Sequence, residues 1–271
     1  KKEDYMSIAL AINGNGYTVV ATDCRATTTE TQKSKFGEYQ DDARKNLITS
    51  FGWTASAGGN LYSANQFNQY IKNLNVLDSE GIFKIWQLII LKTIEISKKH
   101  YDSKTCKLIY KNSASSKAVC AINRFMDDKF NTDIEIFDFL HEVRKLDKNT
   151  LFVSNPIHKR KVKRAVCKYT KHLKDYKAGR KIVDSLFKVM CGLHEAMYLI
   201  ACIVADIRKL TPKINDVLDY GISYQIMPGE VVLMSLHGTA QEIKDIYETK
   251  GNFSTEMMVC SVLTGGGDNQ C

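Results

Sequence analysis

Residue types that often carry chemistry are spread along this chain of 271 residues. Eight cysteines stand at positions 24, 106, 120, 167, 191, 202, 260 and 271. None belongs to a Cys-x-x-Cys pair, and none has a nearby histidine at a spacing that suits zinc. Cys120, Cys191 and Cys202 lie in apolar stretches, where a free cysteine behaves as a small hydrophobic residue. We therefore predict reduced, buried thiols, as in cytosolic and nuclear proteins.

Other common catalytic and cofactor patterns are missing from the sequence. His194 and Glu195 stand far from His237, and the three suggest neither a metal site nor a Ser/His/Asp set. The glycines at 265–267 follow no strand-to-helix pattern, so they do not predict a phosphate-binding loop. We expect no metal and no cofactor.

Positive charge is concentrated in one segment. The chain has 38 lysines and arginines against 30 acids, a net charge of +8. Residues 157–181 hold eleven of these basic residues and one acid, Asp175. The run at 159–164 matches short basic clusters that bind nucleic acid or import receptors, but no aromatic residues interleave it. A solvated surface insertion is the favoured interpretation, and nucleic acid is not an expected partner.

Length predicts one large domain or two small ones, and the composition is that of a soluble globular protein. Apolar residues make up 44% of the chain and charged residues 25%, which is ordinary for such proteins. The longest apolar run, within 85–94, is interrupted by Gln87 and Lys92 and cannot span a bilayer. The sequence shows no pattern of a secretory leader. We expect a cytoplasmic and nuclear protein with no membrane partner.

Hydrophobic periodicity predicts pairs of strands alternating with pairs of helices. Two strand patterns, at 7–12 and 17–21, flank Asn13-Gly14-Asn15-Gly16, which is a strong hairpin signal. A second hairpin is predicted over 46–59, followed by helices over 61–74 and 82–96. Further strands are predicted at 108–110, 118–124, 133–140 and 147–156, with a hairpin loop at 126–131.

The last third of the chain carries the longest helical signal. Residues 181–210 are interpreted as two helices that meet near Cys191-Gly192. A final hairpin is predicted from 219–225 and 230–236, and a helix from 240–249. This order of elements favours an α+β fold with face-to-face sheets and helices on their outer faces.

Three spaced motifs occur in the order found in one known family. They are Asp23-Cys24-Arg25-Ala26-Thr27 after the first hairpin, the lysine-bearing stretch 43–48, and the small-residue turn 54–59. Together they resemble the opening of a proteasome β-type subunit. Residues 221–236 fit the family's final strand pair, and 237–257 are similar to the tail of its chymotrypsin-like type. The resemblance implies a single domain over residues 1–271, a four-layer αββα sandwich of the N-terminal-nucleophile hydrolase type with a basic insertion around 140–180.

The same resemblance implies a set of site residues. In this family a threonine at the chain's N-terminus attacks the peptide bond, and its own α-amine serves as the base. By motif position Ser7 corresponds to the nucleophile, Asp23 and Lys45 to the charged pair beside it, and Gly58 to the oxyanion donor. Thr27 and Gly59 correspond to substrate-binding positions.

Departures from the family pattern predict that this chain does not cleave. Met6 precedes Ser7 where self-cleaving subunits carry glycine, and residues 1–6 would block the amine that acts as base. Lys209 and Pro212 stand where active members have an acid and a serine, and an acid appears only at Asp216. The nearest match to the family's serine-bearing turn, 177–180, contains no serine.

We therefore expect a structural, non-cleaving β-type subunit of a proteasome core particle, acting in ATP-dependent protein degradation. Its partners would be other proteasome α- and β-type subunits and the unfolded polypeptide substrates of the complex. Two alternatives stay open. One is a catalytic β-subunit that uses Ser7 after processing, and the other is a stand-alone N-terminal-nucleophile amidohydrolase.

Overall fold

The computed structural model describes residues 7–27, 37–49, 52–57, 61–71, 79–114, 117–126, 129–138, 143–146, 150–153, 161–164, 182–183, 186–188, 192–228, 230–254 and 259–264. Within these ranges the chain is a mixed α/β protein. Its strands are β1 (Ala9–Asn13), β2 (Tyr17–Asp23), β3 (Ala26–Thr27), β4 (Tyr39–Gln40), β5 (Asn46–Thr49), β6 (Gly52–Ala57), β7 (Lys117–Met126), β8 (Lys129–Asp138), β9 (Val143–Leu146), β10 (Thr150–Val153), β11 (Ile182–Val183), β12 (Leu186–Lys188), β13 (Val217–Met227), β14 (Glu230–Thr239) and β15 (Val259–Thr264). Its helices are α1 (Leu61–Ile71), α2 (Ser79–His100), α3 (Ser103–Ala114), α4 (Leu193–Leu210) and α5 (Ala240–Lys250).

The strands form two larger antiparallel sheets and one short pair. The larger sheet has eight strands in the order β11-β12-β10-β1-β2-β13-β14-β15, and the smaller has five in the order β5-β6-β7-β8-β9. Strands β3 and β4 pair separately. Because β2 lies between β1 and β13, strands from the two ends of the chain are neighbours at the centre of the larger sheet.

The two larger sheets share an apolar core. Ala11, Val20 and Leu233 of the larger sheet belong to one buried cluster with Val119 and Ile134 of the smaller sheet. Successive side chains of a strand point to opposite faces, so alternate residues of each strand are available for this contact. The free energy gained by removing these side chains from water holds the sheets together.

Helices cover a second face of each sheet. Ile200 of α4 and Ile243 of α5 are buried in one cluster with residues of β1, β2, β13 and β14. Phe67 of α1 and Trp86 of α2 are buried with Phe137 of β8 in another. In each helix these apolar residues recur at helical spacing, which gives the helix one face to bury.

Trp53 makes a specific contact between the two sheets. Its indole nitrogen donates a hydrogen bond to the carbonyl of Ile222 at 3.0 Å. The ring lies against Gly221, where a built Cβ would stand only 2.6 Å from a ring carbon. Glycine at this position therefore lets the indole lie directly on the backbone of β13.

Several predicted elements are confirmed. The first hairpin turns at Gly16, which has a φ of 76°, and Gly14 donates its N–H to the Tyr17 carbonyl at 3.0 Å. A hairpin over β5 and β6, the helices α1, α2 and α5, the strand β10, and the pairing of β13 with β14 also agree with the sequence patterns.

Other local predictions were wrong. Residues 108–110, predicted as a strand, lie inside helix α3. Asp102 caps the first turn of this helix, and the short apolar run at 108–110 does not by itself indicate a helix. The segment 181–190, predicted as helix, contains β11 and β12, whose pairing with β10 overrides local propensity. Most of the predicted loop 126–131 belongs to the strand pair β7 and β8. Strands β9 and β15 had no predicted counterpart.

Candidate functional site

The structure brings Ser7, Asp23 and Lys45 together. The Nζ atom of Lys45 lies 3.1 Å from Asp23 Oδ1 and 3.3 Å from Ser7 Oγ. Asp23 is fully buried and only 5% of the Lys45 side chain is exposed. A buried ion pair therefore stands beside a serine hydroxyl at the start of the first strand.

Different parts of the fold supply these three residues. Ser7 precedes β1, and Asp23 ends the neighbouring strand β2. Lys45 stands immediately before β5, which belongs to the smaller sheet. The ion pair is thus also a connection between the two sheets.

Backbone amides complete the environment of Asp23. Its Oδ1 accepts a hydrogen bond from the N–H of Ile8 at 3.0 Å, and its Oδ2 accepts one from Arg25 at 3.2 Å. Hydrogen bonds to backbone amides stabilise an ionised carboxylate. With Lys45, these donors fix the orientation of the carboxylate.

The Lys45 ammonium group donates a hydrogen bond to Ser7 Oγ. An ammonium donates protons and has no lone pair with which to accept one. Lys45 in this state can orient the hydroxyl and stabilise negative charge on it, but it cannot remove its proton. The described contacts of Ser7 therefore include electrostatic support for a nucleophile and do not include a general base.

The segment after Asp23 is held by Arg25. The guanidinium forms a two-pronged contact with Asp41 and also donates to the carbonyl of Pro212. It lies 4.7 Å from the centre of the Tyr39 ring. The hydrogen bond from Arg25 lowers the pKa of the Asp41 carboxyl. These contacts join the β3–β4 pair to the end of α4.

Asn215 is a second residue that holds this segment, and its role was not predicted from the sequence. Its side-chain oxygen accepts the N–H of Cys24 at 3.0 Å, and its amide nitrogen donates to the carbonyl of Asp41 at 3.0 Å. Asn215 is buried, and it contacts Cys24 across a separation of 191 positions in the sequence. No local pattern marks an asparagine for a contact that the fold makes at such sequence distance.

A second charged cluster was also missed. Asp219 of β13 is buried, and its Oδ1 lies 3.1 Å from Arg44 Nη1 and 3.8 Å from His237 Nδ1. Burial raises the pKa of Asp219, although Arg44 and His237 oppose that rise. Asn46 donates hydrogen bonds to the carbonyls of Val20 and Asp219. Arg44 and Lys45, adjacent in sequence, thus pair with two different buried aspartates.

Cys24 is not suited to act as a nucleophile at neutral pH. It is buried, and burial raises the pKa of its thiol to about 12, with further contributions from Asp219 and Asp23. A thiol reacts as its thiolate, which is scarce far below the pKa. We therefore assign Cys24 a packing role.

Only some of the remaining predicted site residues are among those that the structure describes. Thr27 is exposed in β3. Gly58 and Gly59, together with most of the basic segment 157–181, lie outside the described residues. Lys209 is exposed on α4 and pairs with Asp206 at 3.6 Å, and Asp216 is exposed, its carbonyl accepting the N–H of Ala240.

Two features are absent from the residues that the structure describes. Within the described ranges, no group of three or more histidines, cysteines, aspartates or glutamates could hold a metal ion. None of the helices in the described part of the chain has the length and apolar character needed to cross a membrane.

Comparison with known proteins identifies the kind of fold. No family model and no curated protein matches the chain. Its structure is similar to Anbu, described as an ancestral β-subunit, from Yersinia bercovieri, with 10% identity, a TM-score of 0.54, and coverage of 89% of this chain and 93% of that one. It is also similar to a Gly-1 mutant of Anbu from Hyphomicrobium sp. strain MC1, with 9% identity, a TM-score of 0.52, and coverage of 90% and 94%. At identities this low the likeness concerns the fold alone, which is similar to that of the Anbu proteins.

These comparisons correct the family suggested by the sequence motifs. The structural neighbours are Anbu proteins, a proteasome-like but distinct bacterial family, and no family model supports the proteasome β-type. The assignment to the proteasome β-type, including its chymotrypsin-like tail, was therefore wrong. In the described residues these motifs form strand ends and a buried ion pair, and such features are shared by a fold more broadly than by one family within it.

Proposed function

We propose that this chain is a subunit of a proteasome-like assembly and does not itself cleave peptide bonds. The observation that carries the proposal is that the described contacts of Ser7 include the Lys45 ammonium, 3.3 Å from its Oγ, and no general base. This contact offers the hydroxyl a proton donor where an N-terminal nucleophile requires a base. Ser7 also follows Met6 in the sequence, so its nitrogen belongs to a peptide bond.

In this proposal the Asp23–Lys45 pair has a structural role. It joins β2 of the larger sheet to the residue before β5 of the smaller one, and both side chains are buried. Two sheets with a core between them and helices on their outer faces form the four-layer αββα arrangement that we propose for the whole chain. The same pair would support a nucleophile in a cleaving relative.

A second candidate is a hydrolase that uses Ser7 after the preceding residues are removed. The 3.3 Å contact also favours this candidate, because Lys45 would stabilise the developing alkoxide once a free amine served as base. Lys209, which stands where active members carry an acid and is exposed on α4, argues against it.

The partners and location stay predictions. We propose that other subunits of related fold surround this chain and that the assembly acts on unfolded polypeptides. A cytoplasmic and nuclear location is proposed on the same basis as in the sequence interpretation, from thiols expected to be reduced.

The test is intact-protein mass spectrometry on the native particle. The protein would be purified from its natural source, sized by light scattering, and treated with an epoxyketone or β-lactone, which acylate or alkylate N-terminal nucleophiles. We expect a particle many times larger than the 30.7 kDa chain and no mass increase on this chain. A parallel sample of a catalytically active proteasome checks that the reagent is reactive.

Each departure from this result selects another function. An adduct on a chain that begins at Ser7 would overturn the non-cleaving proposal in favour of the hydrolase. A folded 30.7 kDa monomer would overturn the assembly, and a monomer with an adduct would indicate a stand-alone amidohydrolase.

A further inference from the structure

The end of α2 and the start of α3 present an unusual surface. Four exposed lysines lie here, Lys98 and Lys99 in the last turns of α2 and Lys104 and Lys107 on α3. The helices are held together locally, because Cys106 Sγ lies 3.4 Å from the carbonyl of Ser97. The four exposed lysines therefore lie on either side of the short connection between these two adjacent helices.

The acids near these lysines, Glu95 and Asp102, offset only part of their positive charge. Asp102 accepts hydrogen bonds from the backbone N–H and hydroxyl of Thr105, at 2.8 and 3.2 Å, and so caps α3. These bonds lower the pKa of the Asp102 carboxyl, so it is ionised at neutral pH. Glu95 is paired with Lys92 at 2.9 Å. In the described part of the structure, none of the four lysines forms an ion pair of its own.

Apolar groups are exposed beside the lysines. Tyr101 is 56% exposed, Leu108 44% and Tyr110 57%. Tyrosine is enriched at protein interfaces, whereas charged groups there stand at the rim and steer the approach of the partner. We name Lys98, Lys99, Lys104, Lys107, Tyr101 and Tyr110 the lysine–tyrosine surface.

We propose that the lysine–tyrosine surface binds an acidic segment of a partner protein that also carries aromatic residues. Charge complementarity selects an acidic partner, and the exposed tyrosines and Leu108 select one with apolar side chains. Proteins that bind single-stranded nucleic acid use a positively charged groove, whereas this surface lies on two outer helices. Nucleic acid is therefore the less favoured ligand. This proposal does not depend on whether Ser7 is catalytic.

The test measures binding of the full-length protein to three labelled probes by fluorescence anisotropy. The probes are a glutamate–tyrosine copolymer, polyglutamate, and a single-stranded thymidine oligonucleotide of matched charge. We expect the copolymer to bind at least five-fold more tightly than either other probe. The double variant Lys104→Glu and Lys107→Glu should weaken this binding at least ten-fold.

Matched variants separate a local surface from net charge. Lys209→Glu with Lys250→Glu changes the net charge equally on exposed residues of α4 and α5, and should alter binding less than two-fold. Tyr101→Ala with Tyr110→Ala should remove the preference for the copolymer over polyglutamate. Equal weakening by both lysine pairs, tighter binding of the oligonucleotide, or an unchanged preference in the tyrosine variant would overturn the proposal.

Discussion

Replacing Lys45 by methionine should lower the free energy of unfolding by about 3–5 kcal/mol, the usual cost of removing one partner of a buried ion pair. Asp23 would remain fully buried, with its two backbone hydrogen bonds from Ile8 and Arg25 but no countercharge. Methionine retains the length of the lysine stem, so lost packing contributes little to the change. The measurement is urea unfolding followed by circular dichroism.

A surface pair provides the control for this magnitude. Lys84 and Glu80 are 2.7 Å apart on α2, with 66% and 75% of their side chains exposed. Solvent screens such a pair, and its contribution is about 0.3–0.5 kcal/mol. Lys84→Met should therefore change the free energy of unfolding several-fold less than Lys45→Met.

A double variant tests whether the unpaired charge is the cause. Adding Asp23→Asn to Lys45→Met removes the buried carboxylate, and the single amide oxygen can still accept one of the two backbone N–H groups. The double variant should therefore recover at least half of the lost free energy, because coupled residues are not additive. The structural role would be refuted if Lys45→Met cost no more than Lys84→Met, or if the double variant were less stable than the single one.

Two further predictions concern the contact between the sheets. Gly221→Ala should lower the free energy of unfolding by about 1–3 kcal/mol, because the added methyl group would overpack against Trp53. Gly238→Ala is the control and should be near neutral, since its Cβ would meet the nearest atom only at 3.4 Å. Equal effects of the two substitutions in urea unfolding would argue against the close contact. Burial raises the pKa of Asp219, so its protonated form contributes stability below the unfolded pKa of about 3.9 that is lost as pH rises through the raised value. Asp219→Asn should flatten the fall of Tm with increasing pH in that window, and an unchanged slope would contradict the assigned cause.

Local signals predicted the parts of the fold that local physics determines. The hairpin β1–β2 was predicted because Asn13-Gly14-Asn15-Gly16 supplies a left-handed glycine between two apolar strands. Helix α5 was predicted from its spacing, and Thr239 and Glu242 close its first turn as a capping box. In both elements the decisive interactions join residues a few positions apart.

Elements whose partners are distant in sequence were predicted poorly. Strands β11 and β12 lie in a segment with helical periodicity, and their place is decided by pairing with β10. Strand β15 is defined by its pairing with β14. A pattern within one segment carries little information about such pairings, because the stabilising hydrogen bonds lie in another segment.

The candidate site was likewise predicted in part from the sequence. The motif order in the sequence was sufficient to predict that Ser7, Asp23 and Lys45 would be associated, and the structure places them within hydrogen-bond distance. It was not sufficient to distinguish the proteasome β-type from the wider fold. Motifs of this size encode strand ends and one ion pair, which are shared more broadly than any single function.

Only the tertiary structure decided what surrounds those three residues. Asn215 and Asp219 reach the site because β13 pairs with β2, which brings together residues nearly two hundred positions apart. Whether a polar residue is exposed or buried depends on that pairing, and burial determines whether its charge must be matched by a partner. Sequence determined which groups were available, and the packing of the two sheets determined which of them had to meet.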